Sequence, residues 1–411
     1  MKINSLVDLE NFVCSHWNEI NSYLDEEFKT FAPPLSTSVD IREAKDRLVP
    51  VDNNIYPAGM NNLCELDLRG CKDHYDEYFS QLEENRGKKF DCIIIYPESH
   101  TKNLFYLNHL AALMKAIKQS RGQVFFATLD ETLFEGENTE TLTLTSQSGT
   151  KILYHRLHQN SEGELFFFDE KESKKTVEMI VLNNDQSVPI DINWDNVQAV
   201  VSPRPKMGWH WRQKSTHFSR YAQVVQEFCE KFSIEEKLLS AKFSVVDNVD
   251  FYGNTGIDKL KEASKDLFSQ LKEGQKIFLK GDKGTYGMGI KVIHSPEDLE
   301  KLNRKDRNKL DAGKNKIKFT SILLQESIET TIFHEKIPAE ITIYCLNGRS
   351  VGGFMRANSL RGTEDNLNAK GMVFHKFCIS EIRQDETQKK KEALYSIVAR
   401  LSTLAASKEN L

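Results

Sequence analysis

The chain has 411 residues, 39% of them hydrophobic and 28% charged, which is typical of a globular protein with two or three domains. Its net charge of −5 excludes a general attraction to nucleic acid or anionic membrane, so any anion site must be local. No apolar run is long enough to cross a bilayer, and the N-terminus lacks the apolar segment of a signal peptide. The seven cysteines contain no CxxC pair, which argues against zinc and favours reduced thiols in the cytoplasm.

Residues 1–35 have apolar side chains at helical spacing, and Pro33-Pro34 ends that segment. Residues 51–67 are polar and rich in turn residues, including Asn61 and Asn62. Such a stretch is typical of a loop that binds a small molecule, although a plain surface turn explains it as well.

A buried strand at 90–97, a helix to about 119 and a second strand at 123–128 predict a βαβ unit. Loop 97–103, which contains His100, then lies at the carboxyl edge of a parallel sheet, where ligands bind. A helix cap with solvated charges is the alternative. Hairpins are predicted over 136–175, and strands at 178–182 and 197–201.

A basic stretch follows, with two tryptophans, two histidines and no acid. Its cations are Arg204, Lys206, Arg212, Lys214 and Arg220. Guanidinium groups in such a local pocket are suited to holding substrate carboxylates. Basic residues interleaved with aromatic ones also occur in nucleic-acid sites, but this patch is short and isolated. A helix at about 215–231 then leads to the second half of the chain.

Residues 276–293 predict strand, glycine loop, strand. Glycines stand at 281, 284, 287 and 289, and Lys280 and Lys283 add positive charge. Backbone N–H groups in such a loop can converge on an anion, and a polyphosphate is the natural ligand. The loop lacks the Gly-Lys-Ser/Thr of a Walker A motif, and no helix follows it as in a dinucleotide fingerprint. An ordinary glycine-rich hairpin is the alternative.

The second half continues with a helix at 257–272, before the glycine loop, and a helix start at 295–298 that leads into a basic connector at 304–318. A strand at 321–329 contains Gln325-Glu326, which fits the hinge that binds an adenine edge. Asn347-Gly348 predicts a hairpin whose second strand ends on Arg356. The polar loop 361–368 then offers Arg361, carboxylates and asparagines, which suit phosphate and Mg²⁺. A helix at about 386–406 closes the chain.

These parts agree in order and spacing with the ATP-grasp fold. The whole chain resembles the bacterial ATP-grasp type of glutamate–cysteine ligase. The matching motifs are 56–59 with Asn61-Asn62, 98–103, 214–221, 283–290, 352–354, 366–369 and Gly371-Met372. The resemblance implies an α/β fold: an N-terminal βαβ (pre-ATP-grasp-like) domain over 1–235, followed by an ATP-grasp domain over 236–411 of two α+β subdomains (about 236–320 and 321–411).

The resemblance also implies ATP-dependent joining of glutamate to cysteine, with ATP and Mg²⁺ as cofactors and small molecules as the only partners. A homo-oligomer stays open, as do two alternatives: a glutathione-synthetase-like ligase and a non-catalytic nucleotide-binding protein. Arg356 and Lys280 are the predicted catalytic residues. The predicted nucleotide-binding residues are Lys280, Lys283, Gly284, Thr285, Tyr286, Gly287, Gly289, Gln325 and Glu326. The predicted substrate-binding residues are Asn61, Asn62, His100, Arg204, Arg212, Arg361 and Asn368. After Gly371 the chain has no Glu-x-Asn placed in a strand, the metal-binding pattern of many ATP-grasp enzymes, so Glu340, Asn366 and Asn368 are assigned to the metal by position only.

Overall fold

The computed structural model describes residues 2–99, 103–134, 139–252, 254–283, 289–311, 319, 321–377 and 386–409. Helices and strands alternate along this part of the chain, giving a mixed α/β fold. The helices are α1 (Leu6–Ser15), α2 (Trp17–Thr30), α3 (Glu65–Arg86), α4 (Leu104–Lys118), α5 (Lys214–Phe232), α6 (Asn254–Phe268), α7 (Arg304–Asp311) and α8 (Glu386–Ser407).

The N-terminal half contains a mainly parallel sheet. Its strands are β3 (Ile93–Pro97), β4 (Val124–Thr128), β5 (Thr141–Thr145), β6 (Lys151–Arg156), β10 (Met179–Asn183) and β11 (Val200–Ser202), in the order β11-β10-β3-β4-β6-β5. Only β5 runs antiparallel to its neighbour. Strand β3 is apolar because it is buried on both faces. The predicted βαβ unit, β3-α4-β4, is confirmed. A small hairpin sheet, β7 (His158–Gln159), β8 (Leu165–Phe168) and β9 (Lys174–Thr176), lies within this half of the sequence.

A second sheet is antiparallel and joins the two ends of the chain. Its main order is β19-β18-β17-β1-β2, with β16 beside β17. The strands are β1 (Ser36–Glu43), β2 (Leu48–Asn54), β16 (Phe333–His334), β17 (Ile337–Leu346), β18 (Arg349–Asn358) and β19 (Met372–Phe377). Asn347 and Gly348 both have positive φ, as the predicted β17–β18 turn requires.

The third sheet carries the glycine loop. It is antiparallel in the order β12-β15-β13-β14, with β12 (Phe243–Asp247), β13 (Ile277–Gly281), β14 (Ile290–Ile293) and β15 (Ser321–Glu326). Strands β13 and β14 pair directly, from Ile277 with Ile293 to Lys280 with Ile290. The predicted strand, loop, strand arrangement is therefore confirmed.

Helix α8 lies at the centre of one hydrophobic core. Its buried face packs against α1, α2 and α5 and against β1, β2, β17 and β18. Arg400 is among the most deeply buried side chains of α8. Its guanidinium donates to the backbone oxygen of Gly348 over 2.9 Å and to the carboxylate of Asp25 over 2.5 Å.

Several local predictions need correction. Residues 51–54 are not a loop but the end of β2, because they pair with β1. The basic stretch that begins at 304 was predicted to be a connector, but its first part, up to residue 311, forms helix α7. The helix start at Ser295 opens only a short 3-10 turn, Pro296–Leu299, although its capping box is present.

Strands β1 and β2 bear on the predicted division at residue 235. They lie before that boundary in sequence, yet β1 pairs with β17, which lies after it, and β2 pairs with β1. The division into 1–235 and 236–411 stays a prediction, but the second sheet crosses it.

In the described part of the chain, no helix is both long and apolar enough to span a bilayer. Free thiols are found at Cys14, Cys71, Cys92, Cys229 and Cys345. Cys64 is disulfide-bonded, so the expectation of reduced thiols does not hold at that position.

Candidate active site

A cleft lies between the second and third sheets. Strands β1, β2 and β17 supply one wall, and β13, β14 and β15 supply the other. The loop after β18 adds two asparagines. The lining residues are Asp40, Arg42, Val51, Asp52, Phe278, Lys280, Ile290, Gln325, Glu326, Ile328, Glu340, Asn366 and Asn368. Cations, carboxylates and apolar side chains thus meet in one space.

Lys280 projects into this cleft from the end of β13. Its Nζ donates to Oε1 of Gln325 over 2.7 Å and to the backbone oxygen of Val51 over 3.0 Å. Burial lowers the pKa of this ammonium to about 8, although the nearby carboxylate of Asp52 acts in the opposite direction. Lys280 therefore loses its charge more easily than an ordinary lysine.

Gln325 and Glu326 both line the cleft from β15, but their side chains differ in what they offer a ligand. Among the described residues, the buried Nε2 of Gln325 has no hydrogen-bond partner, so this cleft residue has an unused donor. The carboxylate of Glu326 already accepts from Nη1 of Arg47 over 2.7 Å and from the backbone N–H of Lys242 over 2.6 Å. Of the two predicted hinge residues, Gln325 is the better placed to bind a base.

A buried network of two arginines and two carboxylates crosses β1, β17 and β18. Arg356 Nη1 donates to Asp40 Oδ2 and to Glu340 Oε1, both over 2.8 Å. Arg42 Nε donates to the other oxygen of Glu340 over 2.9 Å. Burial opposes ionisation of Glu340, but Arg42 and Arg356 hold its pKa below the ordinary value. Burial raises the pKa of Asp40 despite Arg356, and the negative charge of Glu340 adds to the rise.

The predicted metal residues Glu340, Asn366 and Asn368 all line the cleft. Carboxylate and carboxamide oxygens are donors that Mg²⁺ prefers. Within the described residues, no group of three histidine, cysteine or acidic side chains is arranged to hold a metal. Any cation here would therefore depend on the asparagine oxygens as well as on carboxylates.

The basic stretch contacts the first residues of the glycine loop. Lys283 Nζ donates to the backbone oxygen of His210 over 2.8 Å. Lys214 Nζ donates to Oδ1 of Asp52 over 2.6 Å. Burial raises the pKa of Asp52, but Lys214, followed by Lys280, outweighs it and lowers the value to about 2. Arg204 is exposed, whereas Arg212 is buried and forms an ion pair with Glu409 over 2.7 Å.

Other predicted residues do not line this cleft or cannot be placed. Asn61 and Asn62 lie in a single 3-10 turn and hydrogen-bond to each other over 3.2 Å. Arg361 is exposed, in the loop after β18 that also contains Asn366 and Asn368. Gly289 has a φ of +70° and accepts the N–H of Gly281 through its carbonyl. His100, Gly284, Thr285, Tyr286 and Gly287 lie outside the described residues.

Sequence reasoning missed three charged residues of the cleft, Asp40, Arg42 and Asp52. All three lie on β1 and β2, a segment for which no strand was predicted over 36–50. Asp40 and Arg42 are two positions apart and therefore share one face of β1. That alternation of charged residues with Val39 and Ile41 was the available signal.

A family model for glutamate-cysteine ligase matches residues 10–410. The chain belongs to the glutamate-cysteine ligase family. A solved structure from Methylobacillus flagellatus KT, provisionally named a gamma-glutamylcysteine synthetase, is 28% identical, with a TM-score of 0.84 over 100% of this chain and 99% of that one. The resemblance inferred from the sequence is thus confirmed at the level of the family.

A second solved structure, D-alanyl-alanine synthetase A from Vibrio cholerae O1 biovar eltor str. N16961, is 11% identical. It has a TM-score of 0.37 over 75% of this chain and 79% of that one, too low a likeness to support a conclusion. No curated protein matches the sequence. Membership of the glutamate-cysteine ligase family therefore rests on the family model and on the Methylobacillus structure.

Proposed function

We propose that this chain joins the γ-carboxylate of glutamate to the amine of cysteine at the expense of ATP, the first step of glutathione biosynthesis, in the cytoplasm. The observation that carries the proposal is the cleft, which Lys280 and Gln325 line, in a member of the glutamate-cysteine ligase family. Arg356 lies next to this cleft, where it forms ion pairs with the lining residues Asp40 and Glu340. Two antiparallel sheets that face each other, one with a glycine hairpin, also fit an ATP-grasp enzyme.

The reaction begins with an unreactive carboxylate. One of its oxygens attacks the γ-phosphorus of ATP, the bond to the bridging oxygen breaks, and ADP leaves. The cysteine amine then attacks the acyl carbon of the resulting acyl phosphate, forms the C–N bond, loses a proton and expels phosphate. ATP supplies the phosphate that makes the carboxylate reactive and then leaves. The protein therefore mainly has to position the reacting groups and neutralise their charge.

In this proposal Lys280 neutralises the phosphates, and the free Nε2 of Gln325 donates to the base. Phe278, Ile290 and Ile328 are the apolar lining residues against which the base would pack. Arg356 stabilises the charge on the transferring phosphoryl group. Glu340, Asn366 and Asn368 would hold Mg²⁺, which when bound would neutralise phosphate charge. Their oxygen donors fit that ion.

The deciding experiment is an ADP-release assay on the purified protein. We expect release with glutamate plus cysteine and little when either amino acid is omitted. Lys280→Ala should be nearly inactive, which also controls for a contaminating ATPase. Release only with γ-glutamylcysteine plus glycine would favour a glutathione-synthetase-like ligase. Nucleotide binding without amino-acid-dependent release would favour a non-catalytic protein.

A further inference from the structure

The carboxylate of Glu409, two residues after α8, lies in a buried polar ring. Its oxygens accept from Nε and Nη2 of Arg212, each over 2.7 Å. Oε1 also lies 2.6 Å from Nδ1 of His217. The side chains of Arg212, His217 and Glu409 are 2%, 3% and 5% exposed. A buried, bidentate contact between a guanidinium and a carboxylate is a specific interaction, unlike an ion pair on the protein surface.

The ring is closed by Ser402 and Asn53. Asn53 Nδ2 donates to Ser402 Oγ over 3.0 Å, and that oxygen lies 3.2 Å from Nε2 of His217. Arg212 returns to Asn53 twice, with Nη1 donating to its backbone oxygen over 2.6 Å and Nη2 to its Oδ1 over 3.1 Å. The guanidinium of Arg212 is therefore hydrogen-bonded both to Asn53 on β2 and to Glu409.

Asn53 is the link between this ring and the cleft. The two residues before it on β2 each accept from a lysine: the Val51 oxygen accepts from Lys280, which lines the cleft, and Asp52 accepts from Lys214. A shift of β2 at Asn53 would therefore move the acceptors of both ammonium groups. Because β2 is an edge strand of its sheet, it pairs with β1 on one side, and contacts such as those of Arg212, Lys214 and Lys280 hold it on the other.

Charge balance also requires Glu409. Burial disfavours its charged form, but Arg212 outweighs that cost and lowers the pKa of Glu409 to about 2. Without the carboxylate, the buried guanidinium would lose this acid partner and two of its hydrogen bonds. An uncompensated buried charge is strongly unfavourable, so Arg212 would be expected to reorient toward water or toward Asp52.

We propose that Glu409 is a positioning residue for nucleotide binding: it fixes Arg212, which fixes Asn53 and thereby the β2 acceptors of Lys280 and Lys214. This inference rests on the proposed function, since it assumes that Lys280 meets the nucleotide. It also gives Arg212 a supporting role instead of the predicted contact with substrate.

The test measures ATP affinity by calorimetry in wild type, Glu409→Ala and Glu409→Gln. We expect ATP binding about ten- to a hundredfold weaker in both variants, because a displaced Lys280 would lose much of its contact with phosphate, and a hydrogen bond to a charged group contributes about that much. Acetate should restore much of the affinity of Glu409→Ala by occupying the vacated site beside Arg212. Equal concentrations of chloride should not. Restoration by a small carboxylate distinguishes positioning from general loss of stability.

Lys408→Ala is the matched control. Lys408 lies on the same turn and pairs with Glu27 and Glu227 over 3.0 and 3.1 Å, but it makes no contact with the ring. It should lower thermal stability at most and leave ATP affinity unchanged. Wild-type affinity in both folded Glu409 variants, or a gain in affinity, would overturn the inference. Failure of wild type itself to bind ATP would instead overturn the proposed function.

Discussion

At the scale of single residues, the cleft combines cations that differ in how firmly they hold their charge. Arg42 and Arg356 are paired with buried carboxylates, and a guanidinium is the cation that keeps its charge in proteins. Among the described residues, the hydrogen-bond partners of Lys280 are neutral: Gln325 and the Val51 oxygen. Of these three cations, Lys280 is therefore the one whose charge changes near neutral pH.

We predict that ATP binding weakens as pH rises above about 8, the pKa to which burial lowers Lys280. Below that pH the ammonium is protonated and attracts phosphate, and above it the neutral amine does not. The effect should appear in KM for ATP more than in kcat, because bound phosphate favours the protonated form. Steady-state kinetics from pH 6.5 to 9.5 would measure it.

Lys280→Arg is the control for this dependence, because a guanidinium keeps its charge throughout that range. Its absolute affinity should fall, since the new side chain cannot reproduce the contacts to Gln325 and Val51. Its pH profile, however, should be flat across pH 8. A wild-type KM that does not change between pH 7 and 9.5 would contradict the assignment of Lys280 to the phosphates.

At the scale of elements, the β13–β14 hairpin is anchored to the N-terminus of α5 through Asp282. The Asp282 carboxylate accepts from the backbone N–H and the hydroxyl of Ser215, each over 2.7 Å, and from the hydroxyl of Ser321. Helix α5 has no cap from its own Gln213 side chain. An acid from another element thus supplies the cap and complements the helix dipole.

Asp282→Asn should therefore lower the free energy of unfolding by about 1–3 kcal/mol, because it removes the negative charge and leaves a buried hydrogen bond unmet. Urea denaturation would measure the loss. Asp247→Asn, at an exposed position on β12 of the same sheet, should change stability by no more than about 0.5 kcal/mol. Equal stability of the two variants would show that the Asp282 contacts contribute little.

At the scale of the whole molecule, the second sheet makes the candidate active-site cleft depend on both ends of the sequence. Asp40 and Arg42 come from β1, whereas Glu340 and Arg356 come from β17 and β18. The resulting ion pairs, Arg42–Glu340 and Arg356–Asp40, span about 300 residues of sequence. Helices α1, α2, α5 and α8 share one core over that sheet.

We predict that residues 236–411 expressed alone do not fold cooperatively or bind ATP. The fragment would lack β1 and β2, expose the edge of β17, and leave Glu340 and Arg356 without Arg42 and Asp40. Circular dichroism melting and calorimetry with ATP, compared with the full chain, would test this. A sharp melting transition together with ATP binding would instead favour an independent domain beginning at residue 236.

Structural features were predicted correctly where the sequence signal for them comes from neighbouring residues. The Lys280 hairpin, the β3-α4-β4 unit and the Asn347-Gly348 turn are set by neighbouring residues, and all three are found. The glycine loop itself lies mostly outside the described residues, so its role stays a prediction. Asp40, Arg42 and Asp52 were missed because their importance depends on strands that pair across most of the chain.

The sequence by itself determined the family and the α/β class, because motif spacing and periodicity are properties of short segments. The nucleotide-binding residues that it indicates stay a prediction. Only the tertiary structure decided which charges share the cleft and which are already paired. Burial makes that pairing decisive: Glu409 engages Arg212, and Arg47 engages Glu326. Such contacts between distant residues leave no periodic signal in the sequence, since each side chain alone looks like any exposed charge.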